Sequence, residues 1–191
     1  MEDLGIVFKR MFDPYFDAPL EIWNYFAQQG EIVESNKDDI LKRSGTVEKH
    51  LYFILEGSGG VMLYQNNNYI CIDLCYEGDF FGDYLSFLTF KSTELEVRCF
   101  EKSTCFRISR EKFDSLSHTE YGVLVCKAAS DGLYVQKQLQ QIDLLTKTAE
   151  QRYLEMLVSQ PNIIFRTPSK HIASYLGITP ESLSRIRKKI M

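Results

Sequence analysis

Thr167-Pro168-Ser169-Lys170-His171-Ile172-Ala173-Ser174-Tyr175-Leu176-Gly177-Ile178-Thr179-Pro180-Glu181-Ser182-Leu183-Ser184-Arg185-Ile186-Arg187-Lys188-Lys189-Ile190 is the most informative run in this 191-residue chain. Ile172, Ala173 and Leu176 fall on one face of a helix, and the small Ala173 lets a second helix cross closely. Gly177 supplies the positive φ that a tight turn after a helix needs. Thr179 is a natural N-cap, Pro180 suits the first helical position, and Ser182 stands where an N3 side chain would. Ile178, Leu183, Ile186 and Ile190 are expected to form the buried face of the second helix. A small residue, a turn glycine, a capped second helix and a basic cluster, in that order, predict a helix-turn-helix.

Such a second helix fits the major groove of B-DNA with its N-terminal residues nearest the bases. Arg185 is the candidate to read guanine with two hydrogen bonds, and Glu181 could accept from a cytosine amino group. Ser182, Ser184, Lys188 and Lys189 suit phosphate oxygens, with Thr179 and Pro180 completing the expected DNA-facing set. The formal net charge of −4 argues against this only superficially. From Lys147 onward eight basic residues face three acids, a local surplus of five positive charges, so the remainder carries nine negative ones. A basic face attracts a polyanion while the acidic part limits nonspecific adhesion.

Outward from this segment, the chain changes character twice. Residues 1–30 read as helical, with Leu20, Trp23, Tyr25 and Phe26 near helical spacing after Pro19, and Gly30 ending the run. Short runs rich in Val, Ile, Tyr and Phe follow at 31–35, 39–44, 50–56, 59–65, 69–76 and 94–109, separated by turn signals such as Asn66-Asn67-Asn68. That pattern predicts a β-sandwich or roll. Residues 110–146 return to helix, and Leu124, Ala128, Val135, Ile142 and Leu145 form a stripe suited to pairing with another helix or to packing on the chain's own β unit. The expected organisation is a sensor domain over 1–117, a dimerisation helix over 118–146 and a DNA-binding unit over 147–191.

Composition excludes other classes. Hydrophobic residues make up 45% and charged residues 25%, as in ordinary globular proteins. No window carries the long uncharged apolar run of a membrane span, and Met1-Glu2-Asp3-Leu4 is acidic where a secretory signal is basic, so a cytoplasmic location is expected. Cys71, Cys75, Cys99, Cys105 and Cys126 are odd in number and lack paired spacing, so free thiols are expected and neither disulfides nor a metal site. No nucleophile elbow, zinc-protease or P-loop pattern is present, and Gly57-Ser58-Gly59-Gly60 lies between β runs, so no catalytic residue and no enzyme are expected.

The segment from Ile172 to Arg187 closely resembles the winged helix-turn-helix of the Crp/Fnr family, the cyclic-AMP receptor protein type of regulator. Tyr52-Phe53-Ile54-Leu55-Glu56-Gly57 resembles that family's β-roll strand and turn, and Gly78-Asp79-Phe80-Phe81-Gly82-Asp83 resembles the start of its phosphate-binding cassette. The resemblance implies an α+β chain: a cyclic-nucleotide-binding-type β-roll, a long dimerisation helix and a C-terminal winged helix-turn-helix. It also implies double-stranded DNA, a second copy of the chain and RNA polymerase as partners, and no membrane.

In family members that bind cyclic nucleotide, a Gly-Glu pair holds the ribose and an arginine about ten residues later neutralises the phosphate. Here Gly82 is kept, Asp83 replaces the glutamate, and the arginine position falls on Thr93 with Glu94 beside it. Leu85 and Ser86 complete the expected effector pocket of Gly82, Asp83, Leu85, Ser86, Thr93 and Glu94. Thr93 cannot neutralise a phosphate; Lys91 is the cation that could reach in, while Arg98 falls on the opposite strand face. Cyclic AMP is therefore not expected to bind; an unidentified small-molecule effector is the cofactor expectation. An iron–sulfur cluster lacks its N-terminal cysteines, and no spacing singles out His50 or His118 as a haem ligand. The competing expectation is a small-molecule sensor acting through protein partners without specific DNA binding.

Overall fold

The computed structural model describes residues 3–14, 16–66 and 68–190. Met1 and Glu2 of the acidic N-terminus and Asn67 of the asparagine turn lie outside them.

Helices α1 (Leu4–Phe12) and α2 (Leu20–Ala27) lead into two four-stranded antiparallel sheets. The Asp3 side chain caps α1 by accepting from the Gly5 N–H at 2.8 Å. Pro19 sits at the N-cap of α2. One sheet runs β1 (Glu31–Ser35), β8 (Ser103–Ser109), β3 (His50–Glu56), β6 (Phe80–Phe81). The other runs β2 (Ile40–Lys42), β7 (Leu95–Cys99), β4 (Gly59–Gln65), β5 (Asn68–Cys75). The expected strand over 94–109 is two strands, β7 and β8, in different sheets. At the β4–β5 turn Asn66 has φ +53°, a conformation asparagine tolerates.

The roll closes over two apolar clusters. Tyr52, Ile54, Val61, Phe81, Val97, Cys99 and Cys105 fill the space between the sheets. Outside the first sheet Phe8, Phe26, Phe53 and Phe106 meet edge to face or tilted at 4.8–6.3 Å between ring centroids, with Phe12 stacked on Trp23. Aromatic residues bury much area per side chain, which is how the two short helices α1 and α2 are held to a sheet.

After β6 comes a short helix that the sequence pattern did not suggest, α3 (Tyr84–Thr89), and after β8 a separate α4 (Arg110–Leu116). The long helix α5 (Glu120–Thr146) starts at a Thr119 cap. Its stripe divides. Ala128 is buried and Leu124 partly buried against the chain's own roll, with Val125 and Ala129 buried beside them, whereas Val135, Ile142 and Leu145 are exposed, as is Leu139 between them. Lys147 is extended, and Thr148 opens α6 (Ala149–Ser159) with a reciprocal capping box to Gln151.

The C-terminal unit continues with α7 (Ile163–Arg166), α8 (Ser169–Tyr175) and α9 (Pro180–Ile190). Among the described residues no strand follows β8. Tyr153, Ile163, Ile172, Ala173, Leu176 and Leu183 form its core, and Tyr76 from the roll inserts into that core. Docking is also polar. The Tyr76 hydroxyl lies 2.7 Å from Thr167 Oγ1, and the Cys71 N–H donates to Ser174 Oγ at 2.9 Å. Arg166 donates to Glu101 at 2.8 Å, to Glu77 at 2.6 Å and to the Gly57 carbonyl at 2.7 Å. Among the described residues no helix is long and apolar enough to cross a membrane.

Candidate functional site: a basic helix and a filled cassette

Helix α9 is presented by local chemistry. Gly177 has φ +71°, where a residue with a Cβ is strained. Thr179 Oγ1 accepts from the Ser182 N–H at 3.2 Å, and Pro180 is the first helical residue. Ile172, Ala173, Leu176 and Leu183 are buried, Ile178 and Ile186 are partly so, and Ile190 is exposed, so the buried face stops one turn earlier than its spacing suggested. Thr179, Pro180, Glu181, Ser184, Arg185, Lys188 and Lys189 are exposed on one element, with Ser182 half-buried. The Glu181 carboxyl is held below its ordinary range by its own backbone N–H and by Thr179. Lys189 is drawn back to Glu150 at 2.7 Å, whereas Arg185 and Lys188 make no ion pair among the described residues.

Arg187 was absent from the expected DNA-facing set, and it points inward. Its Nε donates to the Tyr153 hydroxyl at 2.9 Å and its Nη1 to Ser169 Oγ at 2.9 Å, tying α9 to α6 and to the start of α8. Its position four residues after Leu183 carried that signal.

The cassette brings together four of its six expected residues. Gly82, Asp83, Ser86 and Thr93 converge, while Leu85 and Glu94 face outward, the latter accepting from the Ser44 hydroxyl at 2.8 Å. Asp83 is already committed. One carboxylate oxygen caps α3 by accepting from the Ser86 N–H at 3.0 Å; the other accepts from the Thr93 hydroxyl. That second oxygen also lies 2.9 Å from Lys42 Nζ, with the two side chains only 2% and 0% exposed. Lys42 further donates to Thr93 Oγ1 at 2.8 Å and to the Leu95 carbonyl at 2.7 Å. The cation of the cassette is therefore Lys42, from β2, and not Lys91, which is exposed. Arg98 is held on the outer face by Glu96 at 2.6 Å.

Glu48 is a second residue the sequence did not single out. It is buried beside the cassette, takes backbone N–H bonds from Lys49 at 3.0 Å and His50 at 3.2 Å, and lies 3.4 Å from the Asp83 nitrogen. Burial pushes its carboxyl up to about 7. A buried lysine, two buried carboxylates and a threonine thus fill the space at the head of α3 with mutually satisfied polar groups.

The five cysteines are unpaired; Cys71, Cys75, Cys99 and Cys105 are buried and Cys126 is partly so. Burial raises every one of these thiols above its ordinary range, the state of packing cysteines, not of reactive ones.

Residues 32–120 match the cyclic nucleotide-binding domain family. A regulatory protein from Silicibacter pomeroyi DSS-3 shares the fold with TM-score 0.72 and 16% identity, over 100% of this chain and 88% of that one. FixK2 from Bradyrhizobium japonicum matches with TM-score 0.69 and 16% identity, over 84% of each chain. The c-di-GMP-responsive global regulator CLP of Xanthomonas campestris matches with TM-score 0.65 and 16% identity, over 90% of this chain and 91% of that one. No curated protein sequence matches this one significantly. The domain match and the shared fold give the chain the arrangement of those solved proteins: a cyclic-nucleotide-binding β-roll, a long helix and a C-terminal unit of short helices.

Proposed function

We propose that this chain is a dimeric transcription regulator that reads double-stranded DNA with α9 and does not respond to cyclic AMP. The observation that carries DNA reading is the exposed face of Glu181, Ser184, Arg185 and Lys188 on a helix whose opposite face is locked by Leu183 and Arg187. A rigidly seated helix delivers side chains to base edges in one register, which specificity requires. Thr179, Pro180, Ser182 and Lys189 complete the proposed contact set, with Lys189 reaching phosphate only by leaving Glu150.

Dimerisation is supported by the apolar half of α5. Val135, Leu139, Ile142 and Leu145 recur at three- and four-residue spacing and are exposed, the last 76%. A stripe this apolar is stable in water when a second copy covers it. A two-fold pair would set two α9 helices against an inverted repeat. The working division is a sensor unit to 117, a pairing helix over 118–146 and a DNA unit from 147. RNA polymerase belongs to the same proposal through the family resemblance alone.

Indifference to cyclic AMP is supported by Lys42. A nucleotide entering the cassette must displace a buried ion pair and set its phosphate beside Asp83 and Glu48. The test is a gel-shift selection from random duplexes. An inverted repeat should emerge with affinity that falls steeply with salt and is unchanged by millimolar cyclic AMP. Recovery of no preferred sequence overturns the DNA assignment.

A further inference from the structure

Where the roll, the long helix and the C-terminal unit meet, the chain leaves a cleft of about 800 Å³. That is large enough for a small organic molecule. Ile70, Ile72 and Leu74 of β5 form one wall, Leu144 of α5 and Met156 of α6 another, and Ile163 lies at the base. Arg152 of α6 also lines it.

Arg152 is unusually placed for a guanidinium. One nitrogen donates to the Leu176 carbonyl at 2.7 Å, but Nε is buried and has no hydrogen-bond partner. It takes part in no ion pair among the described residues. A buried donor without an acceptor is unfavourable, and a charged one more so.

The acids around the cleft have other partners. Asp73 is bound by Lys137 and Gln140. Asp143 and Glu155 share Lys147 at 2.8 and 2.7 Å. Asp79 accepts from the Tyr76 N–H at 2.9 Å, and burial raises its carboxyl to about 6. What remains is a cleft with one apolar side, from Ile70, Ile72, Leu74, Leu144 and Met156, and one polar side, on which Arg152 is the cation without an ion-pair partner among the described residues.

We infer that this cleft is a binding site for a small organic oxyanion, a carboxylate, sulfonate or phosphate ester on an apolar body, whose anionic head is taken by Arg152. The site is separate from the cassette and does not depend on the DNA assignment. Its walls belong to β5, α5, α6 and α8, so an occupant stabilises their present arrangement and opposes any change in the angle of the C-terminal unit.

The test is a fluorescence titration of the full chain with anilinonaphthalene sulfonate, which joins an aryl body to an oxyanion, beside its uncharged relative phenylnaphthylamine. One sulfonate per protomer should bind, Arg152→Met should weaken it about tenfold, and phenylnaphthylamine should be indifferent to that change. Ile70→Trp adds bulk from a partly exposed position and should exclude both probes; it decides the matter if Arg152→Met fails to fold. Sulfonate affinity unchanged by either substitution overturns the site, whatever the outcome with DNA.

Discussion

Lys42 and Asp83 stand forty-one residues apart in sequence, yet their side chains meet at 2.9 Å in the interior of the β-roll. A buried pair is not in itself a source of great stability, because both charges lose their hydration. Removing one partner is different, since the other charge stays buried and uncompensated. Lys42→Met should lower unfolding free energy by about 3–5 kcal/mol in urea titration. The double variant Lys42→Met with Asp83→Asn should recover much of that loss. Equal destabilisation by the single and double variants would show that the charge of Asp83 is not the cause.

Glu48 gives a pH signature. Its carboxyl titrates near 4.5 when unfolded and near 7 when folded, so the folded state holds the proton more tightly. Its contribution to stability is complete below the lower value and declines as pH rises through the upper one, where the folded protein must carry a buried charge. Glu48→Gln should therefore gain up to about 3 kcal/mol near pH 8 and little near pH 4, measured as urea midpoints. A gain of the same size at both pH values would contradict it.

Among the basic residues of α9, the phosphate contribution should be unequal. Lys188 makes no ion pair among the described residues, whereas Lys189 is held by Glu150. Lys188→Ala should reduce the slope of log affinity against log salt by about 1, and Lys189→Ala by less. Arg185→Ala should instead cost about 1–3 kcal/mol at the selected site and little on random duplex. Loss of the same size on both duplexes would remove Arg185 from base reading.

Pairing through α5 should be sensitive to a single charge. Leu139→Glu places a carboxylate in the middle of the exposed apolar stripe. Sedimentation should show the wild-type chain as a dimer and the variant as a monomer of about half the mass, with circular dichroism preserved. A wild-type monomer at high protein concentration would refute the pairing helix.

The C-terminal unit is clasped to the roll by Arg166, which joins Glu77, Glu101 and the Gly57 carbonyl. Arg166→Ala should speed hydrogen exchange at the Cys71 amide, whose acceptor is the Ser174 hydroxyl, by about tenfold. Core amides of β8 should exchange unchanged, which separates loosened docking from general destabilisation.

Local chemistry made much of this protein legible from its residues alone. The turn at Gly177, the Thr179 cap, the Pro180 start and the buried Leu183 all act within one helical turn of themselves, so order along the chain was enough to recognise the pair α8 and α9. The absence of a phosphate-neutralising arginine at Thr93 was equally visible. Tertiary structure alone decided what took its place. Lys42 reaches Asp83 because β2 pairs with β7 through an irregular register at Ile40 and Lys42, and nothing near Lys42 in sequence records that. The same holds for the docking of Tyr76 into the C-terminal core and for the unpartnered Nε of Arg152. Caps, turns and periodicities are short-range properties of a chain, whereas the partner of a buried charge depends on which distant segments pack together.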